Sequence, residues 1–154
     1  MSARHILRLW RDRRAAVALE FAIVGPMLVL LLGGATDLGL STVCRNRLSQ
    51  AVANGARFAF NSGATVTAST VQNMVQASSG MTGVTANITG PAVYCVSGSP
   101  AALTSTTAGQ TCSDGTQPGT YLMITASYSY QQLMPLSSGF LNTTLQQSAT
   151  VRLQ

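Results

Sequence analysis

A long apolar segment near the N-terminus constrains this chain more than any other feature. Residues 15–40 read AAVALEFAIVGPMLVLLLGGATDLGL, and a helix needs roughly 20 such residues to span a membrane. Five arginines precede or border the segment: Arg4, Arg8, Arg11, Arg13 and Arg14. Because a positively charged flank stays in the cytoplasm, we expect a single span with a cytoplasmic N-terminus. A cleaved secretory signal is disfavoured, since its apolar region is shorter and ends at a small-residue cleavage site.

The helix is predicted to continue beyond the membrane. Small and apolar residues recur at helical spacing at Cys44, Leu48, Ala51, Val52, Gly55, Ala56 and Ala59. This spacing indicates one buried helix face. We therefore predict one helix over residues 15–60, with a membrane half and an external half. Pro26 should kink it, because proline removes a hydrogen bond from the helix interior.

Beyond Phe60 the composition shifts to Ser, Thr, Gly, Ala and Gln. A linker is predicted at residues 61–65 and a short second helix over 69–78. Alternating apolar and polar residues then predict antiparallel strands at 84–89, 92–96, 121–130 and 144–153. Turn-forming residues separate these strands: Gly83, Gly90, Pro91 and the PLSSG sequence at 135–139. The predicted fold class is α+β, with a small antiparallel sheet packed on one side of a long N-terminal helix.

This organisation divides the chain into four parts. We expect a basic cytoplasmic leader at residues 1–15 and a transmembrane segment at 16–40. The external half of the first helix should occupy 41–60, and a small extracytoplasmic α+β domain should occupy 61–154.

The charges exclude several function classes. Charged residues make up 8% of the chain, lysine is absent, and beyond Phe60 only Asp114 and Arg152 are charged. Without a basic patch there, we expect no nucleic-acid binding. General acid–base catalysis needs a titratable group and a partner, and this region offers a single carboxylate and no histidine. We therefore expect no enzymatic activity, no cofactor, no metal and no small-molecule substrate.

The remaining acids and the cysteines are interpreted structurally. Asp114 lies in the turn sequence CSDGTQPG and is interpreted as a turn cap, and Asp37 is interpreted as an interfacial residue at the outer end of the apolar run. In an oxidising compartment a Cys95–Cys112 disulfide is favoured. A zinc site is the rival, but the chain lacks a CxxC pair and has no histidine after His5. Cys44 is interpreted as an ordinary helix-face residue.

Glu20 is the one acid within the first part of the apolar run. An ionisable group there is costly and is a functional hypothesis by default. The residues alone leave two interpretations open: a hydrated carboxylate at the headgroup boundary, or a carboxylate that pairs with a partner.

A family resemblance bears on this choice. The segment RDRRAAVALEFAIVGPMLVLLLGGATDLG, followed by RNRLSQAVANGARFAF, resembles the TadE-like pseudopilins of the tight-adherence (Flp) pilus. The similar features are basic residues, small residues, the Glu20 and Phe21 pair, an apolar helix, and a polar helix with GAR at 55–57 and an aromatic residue directly after. Residues 120–154 are also similar to the closing strands of the family.

The resemblance implies a pilin-like fold and a minor pilin or pseudopilin in the bacterial inner membrane. A prepilin peptidase would cut between Ala15 and Ala16, which makes Glu20 the fifth residue of the mature chain. Glu20 would then pair with the new N-terminal amine of a neighbouring subunit, or help the peptidase to recognise the chain. Expected partners are the inner membrane, the prepilin peptidase and other pilins of the system. The alternative is an unprocessed single-pass membrane protein with a small extracytoplasmic binding or adhesion domain.

Overall fold

A computed structural model of the protein describes residues 13–98, 101–134 and 143–153. Its elements are helix α1 (Arg13–Ser62), a 3-10 turn (Gly63–Thr65), helix α2 (Ala68–Ser79) and strands β1 (Thr85–Ser97), β2 (Ala102–Ser105), β3 (Gly119–Ser129) and β4 (Thr144–Leu153). The predicted α+β class is confirmed, with a long first helix, a short second helix and an antiparallel sheet. Most of the predicted basic leader and the predicted turn at 135–139 lie outside the described residues.

The chain divides into two compact units. Among the described residues, the first unit contains 13–40 of α1 together with 132–134, and the second contains 41–98, 101–131 and 143–153. The sheet, α2 and the C-terminal half of α1 therefore belong to the second unit.

The second unit is built on the helix face that the sequence predicts. Leu48 and Ala51 of α1 are fully buried, as are Val75 of α2 and Ile124 of β3. Full burial of a side chain the size of leucine or valine contributes about 1.5–3 kcal/mol. Gly55 lies at the closest approach, because a Cβ there would lie 3.7 Å from the Ile124 Cδ1 atom and closer still to Val75 Cγ2. This position on α1 has no room for a side chain.

Helix α2 has recognisable signals at both ends. The Thr67 hydroxyl oxygen accepts a hydrogen bond from the Thr70 amide at 3.4 Å, at the N-cap position. Gly80 ends the helix with a φ of 60°, a left-handed conformation that favours glycine. Between the ends, Val71, Val75 and Ser79 are buried at four-residue spacing. The linker predicted at residues 61–65 lies two residues later, at 63–67, because α1 continues to Ser62, and it contains a 3-10 turn.

The sheet is antiparallel throughout, in the order β2-β1-β3-β4. Strand β4 has the predicted bounds, and its buried residues Leu145, Val151 and Leu153 share one face. Arg152 lies on the opposite, exposed face. The alternation of the sequence therefore predicts this strand correctly.

Strand β1 corrects two predictions. Residues 84–89 and 92–96 were expected to form separate strands, but they are one strand with a register shift between Thr89 and Ala92. Gly90 permits this irregularity, since its φ is 105° and a Cβ would lie 2.7 Å from the Tyr121 carbonyl oxygen. Strand β2 was not predicted. It has only four residues, one of them partly buried, so it carries no readable alternation.

Candidate assembly site on the N-terminal helix

The N-terminal half of α1 presents a bare apolar surface. Over residues 16–32 every side chain is exposed, and Gly25 alone is partly covered. Phe21 is 76% exposed and Leu31 is 72% exposed. These residues extend about 26 Å at 1.5 Å per residue, close to the roughly 30 Å of a bilayer's hydrocarbon core. Among the described residues, α1 is the one helix long and apolar enough to cross a membrane, as judged by length and composition.

Apart from the two disulfide cysteines, the sequence-predicted site residues lie on this helix. Ala15 and Ala16 are inside its first turns, and Glu20 is exposed one turn later. Glu20 makes no ion pair within the part of the chain that the structure describes. The ring of Phe21 lies beside Gly25, where a Cβ would be 3.7 Å from the Phe21 Cε1 atom. The helix continues through Pro26, so a kink at this residue stays a prediction.

Asp37 is a buried acidic residue of the first unit. Its side chain is fully buried. The Leu133 amide donates to Oδ1 at 2.9 Å and the Met134 amide donates to Oδ2 at 3.0 Å. Hydrogen bonds to an ionised acceptor are the strong class of protein hydrogen bonds. The interpretation of Asp37 as an interfacial residue stays a prediction, and the structure adds that backbone amides donate to both oxygens of its carboxylate.

Gly33 completes this contact one helical turn earlier. A Cβ at Gly33 would lie 2.8 Å from Met134 Cγ and closer still to Met134 Cε. Residues four apart share one face of a helix, so Gly33 supplies space and Asp37 supplies acceptors on the same side of α1. We call this contact of Gly33 and Asp37 with Leu133 and Met134 the loop clamp. Sequence reasoning missed it, because 96 positions separate Asp37 from Leu133.

The predicted disulfide is confirmed in the second unit. Cys95 and Cys112 are bonded, with 5.6 Å between their Cα atoms. Both cysteines are buried. Cys44 is free and partly buried against the hydrophobic core, as its interpretation as a helix-face residue requires.

Asp114 caps the turn that follows the disulfide, as predicted. Its Oδ1 accepts hydrogen bonds from the Thr116 hydroxyl at 2.7 Å and the Thr116 amide at 3.0 Å. These bonds, the hydroxyl first, hold the pKa of the Asp114 carboxyl below its ordinary value of 3.8. Within the described ranges, no cluster of three or more His, Cys, Asp or Glu side chains could hold a metal ion.

A comparison with known protein families gives a match on the same helix. Residues 15–57 match the family of TadE-like proteins. The resemblance inferred from the sequence is confirmed over this segment, which contains Glu20, Phe21, Pro26, Gly33 and Asp37. The TadE-like pilin family is not an enzyme family. The matched segment ends before the sheet, so the similarity of residues 120–154 to the family stays a prediction. No curated protein and no solved structure matches the chain.

Proposed function

We propose that this chain is a minor pilin or pseudopilin that takes part in assembly of a tight-adherence (Flp) pilus. The observation that carries the proposal is the coincidence of the TadE-like segment, residues 15–57, with a helix whose apolar surface is bare over residues 16–32. Such a surface is stable only against lipid or against other apolar helices. A pilin uses both environments, lipid before assembly and neighbouring subunits after it.

The proposed topology is a single pass through the bacterial inner membrane. Residues 1–15 form the cytoplasmic leader, 16–40 the transmembrane segment, 41–60 the external half of α1 and 61–154 the extracytoplasmic domain. The arginines before the apolar run support this orientation through the positive-inside rule. The Cys95–Cys112 disulfide supports it independently, because disulfides persist in oxidising compartments.

Processing by a prepilin peptidase between Ala15 and Ala16 would give Glu20 its partner. The cut creates an N-terminal amine at Ala16, four residues before Glu20, and this amine is positively charged in its ordinary state. An amine of one subunit pairing with Glu20 of the next would neutralise both groups in lipid, where an unpaired charge is costly. The pair would also fix the axial stagger between neighbouring helices.

An in-frame deletion with plasmid complementation tests the function. Electron microscopy should show few or no pili on the deletion strain and normal numbers on the complemented strain. Normal piliation without the protein, combined with lost surface attachment, would instead favour the unprocessed anchor with an adhesion domain.

The mass of the protein extracted from the envelope tests the processing step. The intact protein should begin at Ala16. A chain that still begins at Met1 would favour the unprocessed anchor, and a chain that begins near Thr36 would indicate ordinary signal cleavage.

A further inference from the structure

An open groove on the second unit brings together two arginines that are distant in the sequence. Arg57 comes from the end of α1 and Arg152 from β4, and the groove has a volume of about 600 Å³. Its lining residues are Ala56, Arg57, Phe60, Asn61, Thr150, Val151 and Arg152. The sequence alone showed no basic patch beyond Phe60, because Arg152 is the single basic residue there. The fold places this residue beside the GAR segment of α1.

Within residues 13–98, 101–134 and 143–153, no carboxylate neutralises either arginine. Both side chains are exposed, and neither forms an ion pair with a carboxylate among the described residues. From residue 41 onward the sequence contains four arginines and one acid, Asp114. That acid already accepts two hydrogen bonds from Thr116. The groove is therefore a positively charged site without a carboxylate partner among the described residues.

Aromatic rings accompany the charges of the groove. The Arg152 guanidinium carbon lies 6.0 Å from the centre of the Tyr121 ring, a cation–π distance that restrains the side chain. Phe60 is 54% exposed at the same groove. A planar guanidinium suits bidentate binding of a carboxylate, and the phenylalanine ring suits an apolar side chain next to that carboxylate.

Other anions fit less well. Two arginines are too few for the phosphate contacts that give a nucleic-acid binder its affinity. Arg57 lies 16 residues along α1 from Ser41, the first residue of the second unit, which corresponds to about 24 Å of helix. That distance separates the groove from the end of the apolar run and disfavours lipid phosphates as its ligand.

We infer that the groove of Arg57 and Arg152 binds an acidic segment of a partner protein, with carboxylates next to an aromatic or aliphatic side chain. The inference rests on the proposed function only in expecting that the partner is another subunit of the same assembly. Binding itself is a property of the purified chain.

Titration of the full chain in detergent micelles tests the binding. The probes are a blocked peptide with four glutamates around one phenylalanine and a twin with glutamines in place of the glutamates. At low salt we expect the glutamate peptide to bind about tenfold more tightly than its twin, and salt to reduce this difference. Arg57→Gln with Arg152→Gln should abolish the difference, and the control Arg45→Gln with Arg47→Gln should keep it.

Three results of this titration would overturn the inference. The first is equal binding of the two peptides to the wild-type chain. The second is an undiminished preference after Arg57→Gln with Arg152→Gln in a variant that keeps its disulfide and its circular dichroism spectrum. The third is binding to vesicles of anionic phospholipid that depends on Arg57 and Arg152 while the glutamate peptide does not compete.

A charge-reversal experiment in cells identifies the partner. Arg57→Glu with Arg152→Glu, at wild-type protein level, should reduce pilus number, and selection for restored piliation should return acid-to-base changes in the external part of another subunit. Restoring changes at Asp114 of this chain would indicate a second copy and overturn the inference. Unchanged pilus number in the Arg57→Glu with Arg152→Glu strain would also overturn the inference, provided that the deletion strain lacks pili. If the deletion parent keeps its pili, the proposed function fails. The peptide titration then still tests whether the groove binds an acidic segment.

Discussion

Asp37→Asn should release the loop clamp, the contact of Gly33 and Asp37 with Leu133 and Met134. In the native protein each carboxylate oxygen of Asp37 accepts one backbone amide, at 2.9 and 3.0 Å. Asparagine offers one acceptor oxygen and replaces the other with a donor. One amide therefore loses its bond to residue 37, and the bond of the other is to a neutral acceptor.

The expected cost follows from these two changes. A hydrogen bond to a charged group contributes about 1.5–3 kcal/mol and a neutral one about 0.5–1.5 kcal/mol, so replacing two charged bonds with one neutral bond loses about 2.5–4.5 kcal/mol. Because each 1.36 kcal/mol corresponds to a factor of ten, local opening at Leu133 and Met134 should become about 70- to 2,000-fold more frequent. The rest of the fold should stay closed, since opening of a single contact is a local event.

Amide hydrogen exchange in micelles measures this opening directly. The amides of Leu133 and Met134 should exchange faster in Asp37→Asn by the factor given above, while the amides of β3 remain protected. The matched control is Asp114→Asn, the same chemical change at an exposed turn, which should leave the exchange of Leu133 unaltered. Exchange at Leu133 and Met134 within threefold of the wild type in Asp37→Asn would refute the reasoning.

Three further predictions concern the second unit. Replacing Cys95 and Cys112 with serine should lower the free energy of unfolding by about 3 kcal/mol, because the bond closes a loop of 17 residues; denaturant unfolding measures it. Gly55→Ala should cost about 1–3 kcal/mol by overpacking, since its Cβ would collide with a valine of α2; the same unfolding assay applies. Thr116→Val should raise the pKa of Asp114 towards 3.8, and carboxyl chemical shifts measure this change. In the native protein the depressed pKa gives a small stabilisation that is present above pH 3.8 and is lost as the pH falls below it.

Each of these predictions has a matched control. Cys44→Ser leaves the disulfide intact and should cost less than loss of the bond. Gly39→Ala adds a methyl group where no heavy atom lies within 4 Å, so it should not destabilise the protein. Thr106→Val changes a threonine remote in sequence from the turn and should leave the pKa of Asp114 unaltered. An effect of the control as large as that of the test variant would contradict the corresponding prediction.

The sequence predicted elements wherever a periodic pattern was long. Helix α1 and strand β4 each present many residues to one buried face, so the spacing of Leu48 and Ala51, or of Val151 and Leu153, was readable. Strand β2 has four residues and no such pattern. The glycine and proline at 90 and 91 were read as a strand boundary, although they form a local irregularity inside β1.

The contacts that could not be predicted join residues that are distant in the chain. The acceptors of Asp37 meet amides of Leu133 and Met134, and backbone amides carry no signature in the sequence. Arg57 and Arg152 share a groove only because β4 lies near the end of α1. Such pairings depend on the order of the strands, which the periodicity of each strand does not specify.

The most direct test of the proposed function is the number of pili on cells that produce Glu20→Gln at the wild-type protein level. Glutamine keeps the size and hydrogen-bonding capacity of the side chain but removes its charge, so pairing with a neighbour's N-terminal amine is lost. Leaving one partner of a shielded ion pair uncompensated costs about 3–5 kcal/mol. We predict normal membrane insertion, at least partial cleavage before Ala16 and few or no pili. Unchanged pilus number and adhesion in this variant would contradict the assembly role of Glu20, and a complete block of cleavage would assign the residue to peptidase recognition instead.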